Sequence, residues 1–217
     1  MTLESALFKQ IQGIKHAFGT RGENFPVHFK AGWDMNKPTW KQVHGARSCE
    51  VKTTNQACGE VDALFTFEKN LPIAVVSADC VPILLAKKDG TGVAAIHSGW
   101  RGTKANIVSA CWQNLAHAGE TATHWVAAIG PAIGPCCYEV SAELAHEFGS
   151  ASRYLDLPEI VSRQLCAIGI SAVDRVGSCT RCSQTLNLGQ YDFESYRREH
   201  ADGRSSGREY SVIERII

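Results

Sequence analysis

The segment 72–103, PIAVVSADCVPILLAKKDGTGVAAIHSGWRGT, most constrains what this chain can fold into. Two runs rich in branched apolar residues, 81–86 and 93–96, flank Lys87-Lys88-Asp89-Gly90-Thr91-Gly92. The Asp-Gly pair and the second glycine supply turn chemistry, so the pattern predicts a β-hairpin. Pairing about the middle of that loop sets Cys80 nearly opposite His97, which makes neighbours of a thiol and an imidazole with sixteen residues between them. One hairpin then offers either two metal ligands or a nucleophile and its base.

With 217 residues and 44% hydrophobic content, the chain can bury a sizeable core, and one domain over residues 1–217 is expected. Lys and Arg number 22 against 22 Asp and Glu, so no bulk field draws it to nucleic acid or anionic lipid. No apolar run approaches the roughly 18 residues of a membrane span, and the N-terminus lacks a basic-then-apolar secretory pattern. These features predict a cytoplasmic protein with a small-molecule partner, neither nucleic acid nor membrane; they say nothing of oligomeric state. Nine cysteines, an odd number without an export pattern, argue against a disulfide framework. Cys111 and Cys166 sit among apolar neighbours and read as small core hydrophobes. Cys179-Thr180-Arg181-Cys182 has metal-knuckle spacing but no second such pair, which favours structural or reactive thiols over a four-cysteine zinc site.

In chain order, short strands are predicted at 48–53, 61–66, 72–76, 125–129, 173–176 and 210–213. Helices are predicted at 104–118, with Thr103 as N-cap and Gly119 as stop, at 141–148 behind Ser141, and at 158–168. His44 stands beside Gly45 at a strand edge, where it reads equally as a ligand or a surface histidine. Asp79 adjoins Cys80, but strand alternation turns it to the other face unless the chain bends there. The glycine-flanked turn Gly99-Trp100-Arg101-Gly102 leads into a helix N-terminus, where backbone N–H groups and Arg101 suit an anion. Gly130 and Gly134 are interrupted by prolines and lack a third glycine, so they do not make a dinucleotide fingerprint.

His44, Cys80 and His97 form a borderline-soft donor set suited to zinc, with copper the other candidate, and three protein ligands leave a fourth tetrahedral position open. A zinc ion in such a site lowers the pKa of bound water to about 7. Spacing alone does not bring His44 to the hairpin.

Six strings are similar to the laccase-domain family, the polyphenol oxidase or peptidoglycan editing factor group. They are Gln42-Val43-His44-Gly45, Asp62-Ala63-Leu64-Phe65-Thr66, Ala78-Asp79-Cys80, Ile96-His97-Ser98-Gly99-Trp100-Arg101-Gly102, Gly130-Pro131-Ala132-Ile133-Gly134-Pro135-Cys136-Cys137-Tyr138-Glu139 and Ser195-Tyr196-Arg197-Arg198. The resemblance spans almost the whole chain. It implies an α+β fold, a mixed β-sandwich flanked by helices and related to the cytotoxic-necrotizing-factor deamidases and putative cysteine hydrolases. It also implies a metal held by His44, Cys80 and His97. Three activities attach to it: phosphorolysis and deamination of purine nucleosides (adenosine, inosine, methylthioadenosine), amidase editing of peptidoglycan precursors, and polyphenol oxidation. Cys80, His97 and Asp79 are the expected catalytic residues, and Arg101 and Ser77 the expected substrate-binding ones. Four-copper oxidation is disfavoured, because it needs roughly ten His and Cys ligands with His-x-His pairs, and this chain has 8 histidines and no such pair. A metal-free hydrolase with Cys80 as nucleophile and His97 as base, and a purely structural metal site, are the other readings. The chain departs from the family between Gly22 and His44, at Ser98, and between Cys179 and Tyr196, where Asn187-Leu188-Gly189 falls.

Overall fold

The computed structural model describes residues 1–184 and 190–217, so the Asn187-Leu188-Gly189 string lies outside the described residues. The predicted hairpin is the centre of a six-stranded sheet, in the order Val173–Arg175, Trp125–Ile129, Val81–Lys87, Val93–Ser98, Ala63–Thr66, Ser48–Glu50. Its turn closes with Gly90 N–H donating to the Lys87 carbonyl at 2.9 Å. Gly90 has φ +74, and a Cβ there would lie 2.4 Å from the Gln12 carbonyl oxygen, so both conformation and space call for glycine. The register differs from expectation: Pro82 faces His97 and Val81 faces Ser98. Cys80 therefore lies just beyond the strand end and approaches His97 diagonally, because the pairing centre is shifted by one residue towards the C-terminus.

Side chains leave this sheet on two faces. Val81, Ile83, Leu85, Ala94, Ile96, Ala127 and Ile129 pack with Ile107, Val108, Cys111, Leu115, Val161 and Leu165 of the helices Ile107–His117 and Leu157–Ala167. The alternate residues, including Leu84, Ala86, Val93, Ala95 and Ala128, pack with Phe8, Phe18, Ile73, Val75 and Ile213. Four of those five belong to or border a three-stranded sheet ordered Ile14–Phe18, Glu209–Arg215, Ile73–Ser77. Both faces of the central strands are covered, so they read as continuous apolar runs rather than alternating ones. The outer face of the small sheet contributes Ala17, Ala74 and Val212 to a third core with Phe29 and Trp33. The architecture is a mixed α+β fold. Among the described residues no helix is long and apolar enough to cross a membrane.

The predicted helix 104–118 is two helices, Trp100–Lys104 and Ile107–His117. Asn106, left-handed at φ 54, separates them and caps the second by accepting from Ser109 N–H at 3.3 Å. Thr103 is not a cap: it is buried, donates to the Gly99 carbonyl at 2.9 Å and shares a 2.8 Å hydrogen bond with Ser98. Ser141 caps the helix Ala142–Glu147 as expected, accepting from Leu144 N–H at 3.2 Å. Cys111 is buried, but Cys166 is exposed. Val161 and Leu165 face the core on its helix, and the residue after Leu165 is rotated about 100° outward. The helix Tyr196–Ala201, capped by Ser195, was not anticipated from the pattern.

Leu84, fully buried between the two sheets, provides a test of this layering. Leu84→Ala is expected to lower unfolding stability by about 2–5 kcal/mol, read as a fall in the urea midpoint with an unchanged m-value.

Candidate metal and catalytic centre

Asp62 is the residue from which the site is built. It enters the strand Ala63–Thr66 fully buried, and a carboxylate in that position must be satisfied on all sides. Its Oδ1 accepts from His44 N–H at 2.9 Å, and its Oδ2 accepts from Gly45 N–H at 2.7 Å and Val43 N–H at 3.2 Å. Oδ1 also pairs with His97 Nδ1 at 2.9 Å. Burial pushes the Asp62 pKa up, but the hydrogen bonds from His97 and from the Gly45 and Val43 backbone outweigh it and hold the carboxyl below its ordinary value. One carboxylate thus folds the 43–45 loop against the hairpin and engages Nδ1 of His97, which leaves Nε2 as the ring nitrogen available to a metal.

The ligand atoms of His44, Cys80 and His97 lie within 4.8 Å of one another, so the three residues converge from three segments. The two imidazole rings meet edge to face, centroids 4.9 Å apart. Burial raises the Cys80 pKa, yet hydrogen bonds and charge from His44 and His97 prevail and bring the thiol down to about 6. Burial likewise opposes a charged His97, but Asp62 and Cys80 together raise it to about 9. Both directions favour a thiolate–imidazolium couple when no metal is bound. Gly99 makes the close approach possible: a Cβ there would lie 2.9 Å from both Cys80 Sγ and His44 Cδ2. Two imidazoles, one thiolate and the Asp62 carboxylate that orients the His97 ring fit a single borderline-soft ion.

The chain does bend at Asp79, with φ +83. Its carboxylate, however, accepts from Thr180 Oγ1 and from Arg197 N–H, both at 2.6 Å, joining the hairpin to two distant segments. Arg197 also donates to the Glu139 carbonyl at 2.8 Å and lies 5.2 Å over the Tyr138 ring. Burial and then the Cys80 charge hold the Tyr138 pKa up at about 12. Trp100, Tyr138, Leu144, Arg153 and Arg197 line a cleft of about 520 Å³; Trp100 follows Gly99 in the chain and the Arg197 N–H is bonded to Asp79, so the cleft borders residues that adjoin Cys80. Arg101 is exposed and stacks at 4.3 Å on the ring of Trp100, which lines that cleft. Ser77 is buried and paired with Glu209 in the small sheet, and it does not line the cleft. Sequence reasoning left Asp62, Tyr138, Thr180 and Arg197 without roles. The available signal was a charged residue opening an otherwise apolar strand, which needs a partner.

A second group of potential ligands lies apart from the first. The sulfurs of Cys136, Cys137, Cys179 and Cys182 are all within 4.8 Å of one another. The expectation against a four-cysteine cluster rested on the missing second Cys-x-x-Cys, and the adjacent pair Cys136-Cys137 supplies those two thiols instead.

Comparison with known proteins agrees over most of the chain. A family profile described as multi-copper polyphenol oxidoreductase laccase matches residues 26–215. The purine nucleoside phosphorylase YfiH of Shigella flexneri is 34% identical over 196 residues, covering 84% of this chain and 77% of its own. A purine nucleoside phosphorylase of Clostridium acetobutylicum is 35% identical over 218 residues, with coverages of 88% and 87%. The adenosine deaminase RL5, from an unknown prokaryotic organism, is 34% identical over 188 residues, covering 78% and 68%. Among solved structures, YlmD from Geobacillus stearothermophilus superposes with a TM-score of 0.80 at 25% identity, over 96% of this chain and 94% of that one.

Two outcomes follow from the Asp62-centred geometry. Asp62→Asn puts N–H donors opposite N–H donors, and zinc affinity measured by chelator competition is expected to weaken by about 10- to 100-fold. The second concerns pH. Between about 6 and about 9 the metal-free site holds a thiolate and an imidazolium, whereas zinc takes a thiolate and neutral imidazoles. Binding therefore displaces one proton from His97, so affinity should rise about tenfold per pH unit across that window and level off above it. Calorimetry in buffers of different ionisation enthalpy reads the proton directly.

Proposed function

We propose, from a chain that belongs to the multi-copper polyphenol oxidoreductase laccase family, that this protein is a zinc-dependent enzyme acting on purine nucleosides, by phosphorolysis of adenosine, inosine or methylthioadenosine and by deamination of adenosine. The observation that carries the reading is the convergence of His44, Cys80 and His97, with an aromatic, arginine-lined cleft reached from it through Trp100 and the Arg197–Asp79 bond. A volume of about 520 Å³ suits a nucleoside, the faces of Trp100 and Tyr138 suit a purine ring, and Arg101 with Arg197 suits an anionic co-substrate. Zinc in this site supplies Lewis acidity. His97, braced by Asp62, moves a proton at Nε2 only when it is not a ligand. Asp79, whose oxygens both accept hydrogen bonds, serves by positioning Arg197 and Thr180 more than by proton transfer.

The layering of two sheets with outer helices supports a mixed β-sandwich flanked by helices. The pairing of Glu209–Arg215 with both Ile14–Phe18 and Ile73–Ser77 supports one domain over residues 1–217, since it ties the C-terminal segment to the N-terminal one. The relatives' names support the purine-nucleoside reading over polyphenol oxidation, and among the described residues only two groups of ligating side chains gather. A second reading has its own observation. The thiolate–imidazolium couple of Cys80 and His97 supports a cysteine amidase, kin to the cysteine hydrolases and acting on a peptidoglycan precursor.

Purified protein is expected to release free base from adenosine or inosine only with phosphate present, and ammonia from adenosine. Cys80→Ala should lower kcat/KM by at least about a thousandfold. Undiminished turnover in that variant sinks the proposal. A metal-free, fully active enzyme that one equivalent of iodoacetamide at Cys80 inactivates would favour the amidase.

A further inference from the structure

We infer that Cys136, Cys137, Cys179 and Cys182 form a second, structural zinc site, a closed tetrathiolate separate from the His44, Cys80 and His97 centre. Zinc binds thiolate sulfur at about 2.3 Å, and the edge of a regular ZnS₄ tetrahedron is then about 3.8 Å. Cys136 Sγ and Cys182 Sγ are already 3.7 Å apart, and all four sulfurs fall within 4.8 Å of one another. Four sulfurs at such separations can surround one ion with little movement.

The backbone around the cluster is arranged for thiolates. Gly134 N–H donates to Cys179 Sγ at 3.3 Å, and the N–H groups of Arg181 and Cys182 point at the same sulfur. Such N–H donors disperse negative charge on a ligating sulfur. The 134–138 loop is itself a tight turn, with Cys137 and Tyr138 N–H both donating to the Gly134 carbonyl. It presents two adjacent cysteines to the Cys-x-x-Cys of the other segment. An all-thiolate donor set favours zinc among the available divalent ions, and four protein ligands leave no open position, the mark of a structural site. On binding, four thiols release four protons to solvent and four S–Zn bonds form, with no change of oxidation state.

The position gives the ion a purpose. Thr180, between two of the ligands, holds Asp79, the neighbour of Cys80. Arg198 grips the same segment by donating to the Thr180 and Arg181 carbonyls at 2.9 and 3.0 Å. Tyr138 follows Cys137 directly and lines the cleft. The zinc would clamp together the two loops that carry Thr180 and Tyr138, and so hold the wall of the first site.

The test is metal stoichiometry on the full chain, purified without chelator, by inductively coupled plasma mass spectrometry. Wild type is expected to carry about two zinc ions, His44→Ala about one, Cys136→Ser/Cys182→Ser about one, and the combined variant none. Loss of one equivalent in the cysteine variant supports the second site whether or not the first holds zinc, because the His44→Ala arm reports the first separately. Cobalt substitution of His44→Ala should give a tetrahedral spectrum with strong thiolate charge transfer, and the cysteine variant should melt about 5–10 °C lower than wild type. Both serine positions are exposed, so the variant can retain its core. An unchanged zinc count in Cys136→Ser/Cys182→Ser, iron in place of zinc, or a Cys136–Cys182 disulfide in the intact mass of freshly purified protein overturns the inference.

Discussion

The buried Asp62 carboxylate is the interaction on which the site depends. It stands immediately ahead of the strand Ala63–Thr66, whose residues are all buried, so it has no water to solvate it. Three successive backbone N–H groups and one imidazole take the place of that water. The same contacts that make the buried charge tolerable fold the 43–45 loop onto the hairpin and fix the ring of His97. Removing one member therefore strands the others, since a buried anion without donors costs several kcal/mol.

A comparable economy operates on the far side of Cys80. Asp79 is tied to Thr180 and to the Arg197 backbone, and Arg198 is buried against Glu199 while it binds three carbonyls, those of Phe193, Thr180 and Arg181. The C-terminal Ser195-Tyr196-Arg197-Arg198 string thus acts on a site more than a hundred residues earlier without contributing a ligand. Its two arginines point different ways. Arg197 reaches the Tyr138 ring and Arg198 the 179–182 segment, so one helical turn braces both the loop that lines the cleft and the segment that holds Asp79.

The hairpin, most strands and one helix cap were legible in the sequence because each depends on local pattern: apolar runs of strand length, Asp-Gly at a turn, Ser141 ahead of a helix. The register was not, because turn geometry rather than the loop's midpoint sets it, and a shift of one residue in the pairing centre moved Cys80 beyond the strand. The single helix expected at 104–118 broke at Asn106, whose left-handed backbone and side-chain cap compete with helix continuation. The candidate ligands His44, Cys80 and His97 were legible as residue types and by resemblance, but their convergence depends on Asp62, a contact across 35 positions that no periodicity reports. The four-cysteine cluster escaped for the same reason. Spacing rules look for ligand pairs within one segment, and this chain divides the set between two loops 46 positions apart.

Backbone strain marks where this assembly is concentrated. Both His44 and Asp79 adopt positive φ, at 59 and 83, although neither is glycine. Such conformations cost on the order of 1–3 kcal/mol each and persist only where surrounding contacts over-determine them. At His44 those contacts are the Asp62 hydrogen bonds to three consecutive N–H groups. At Asp79 they are Thr180 Oγ1, the Arg197 N–H, and the Ile133 N–H that donates to its carbonyl at 2.9 Å. The two strained residues are one candidate ligand, His44, and the immediate neighbour of another, Cys80. The left-handed turns swing the His44 ring and the Cys80 thiol out of their strand directions towards His97, which sits unstrained in the central sheet. The rigid hairpin thus supplies the fixed point, and buried hydrogen bonds hold two bent segments to it at the separation a metal or a proton transfer requires.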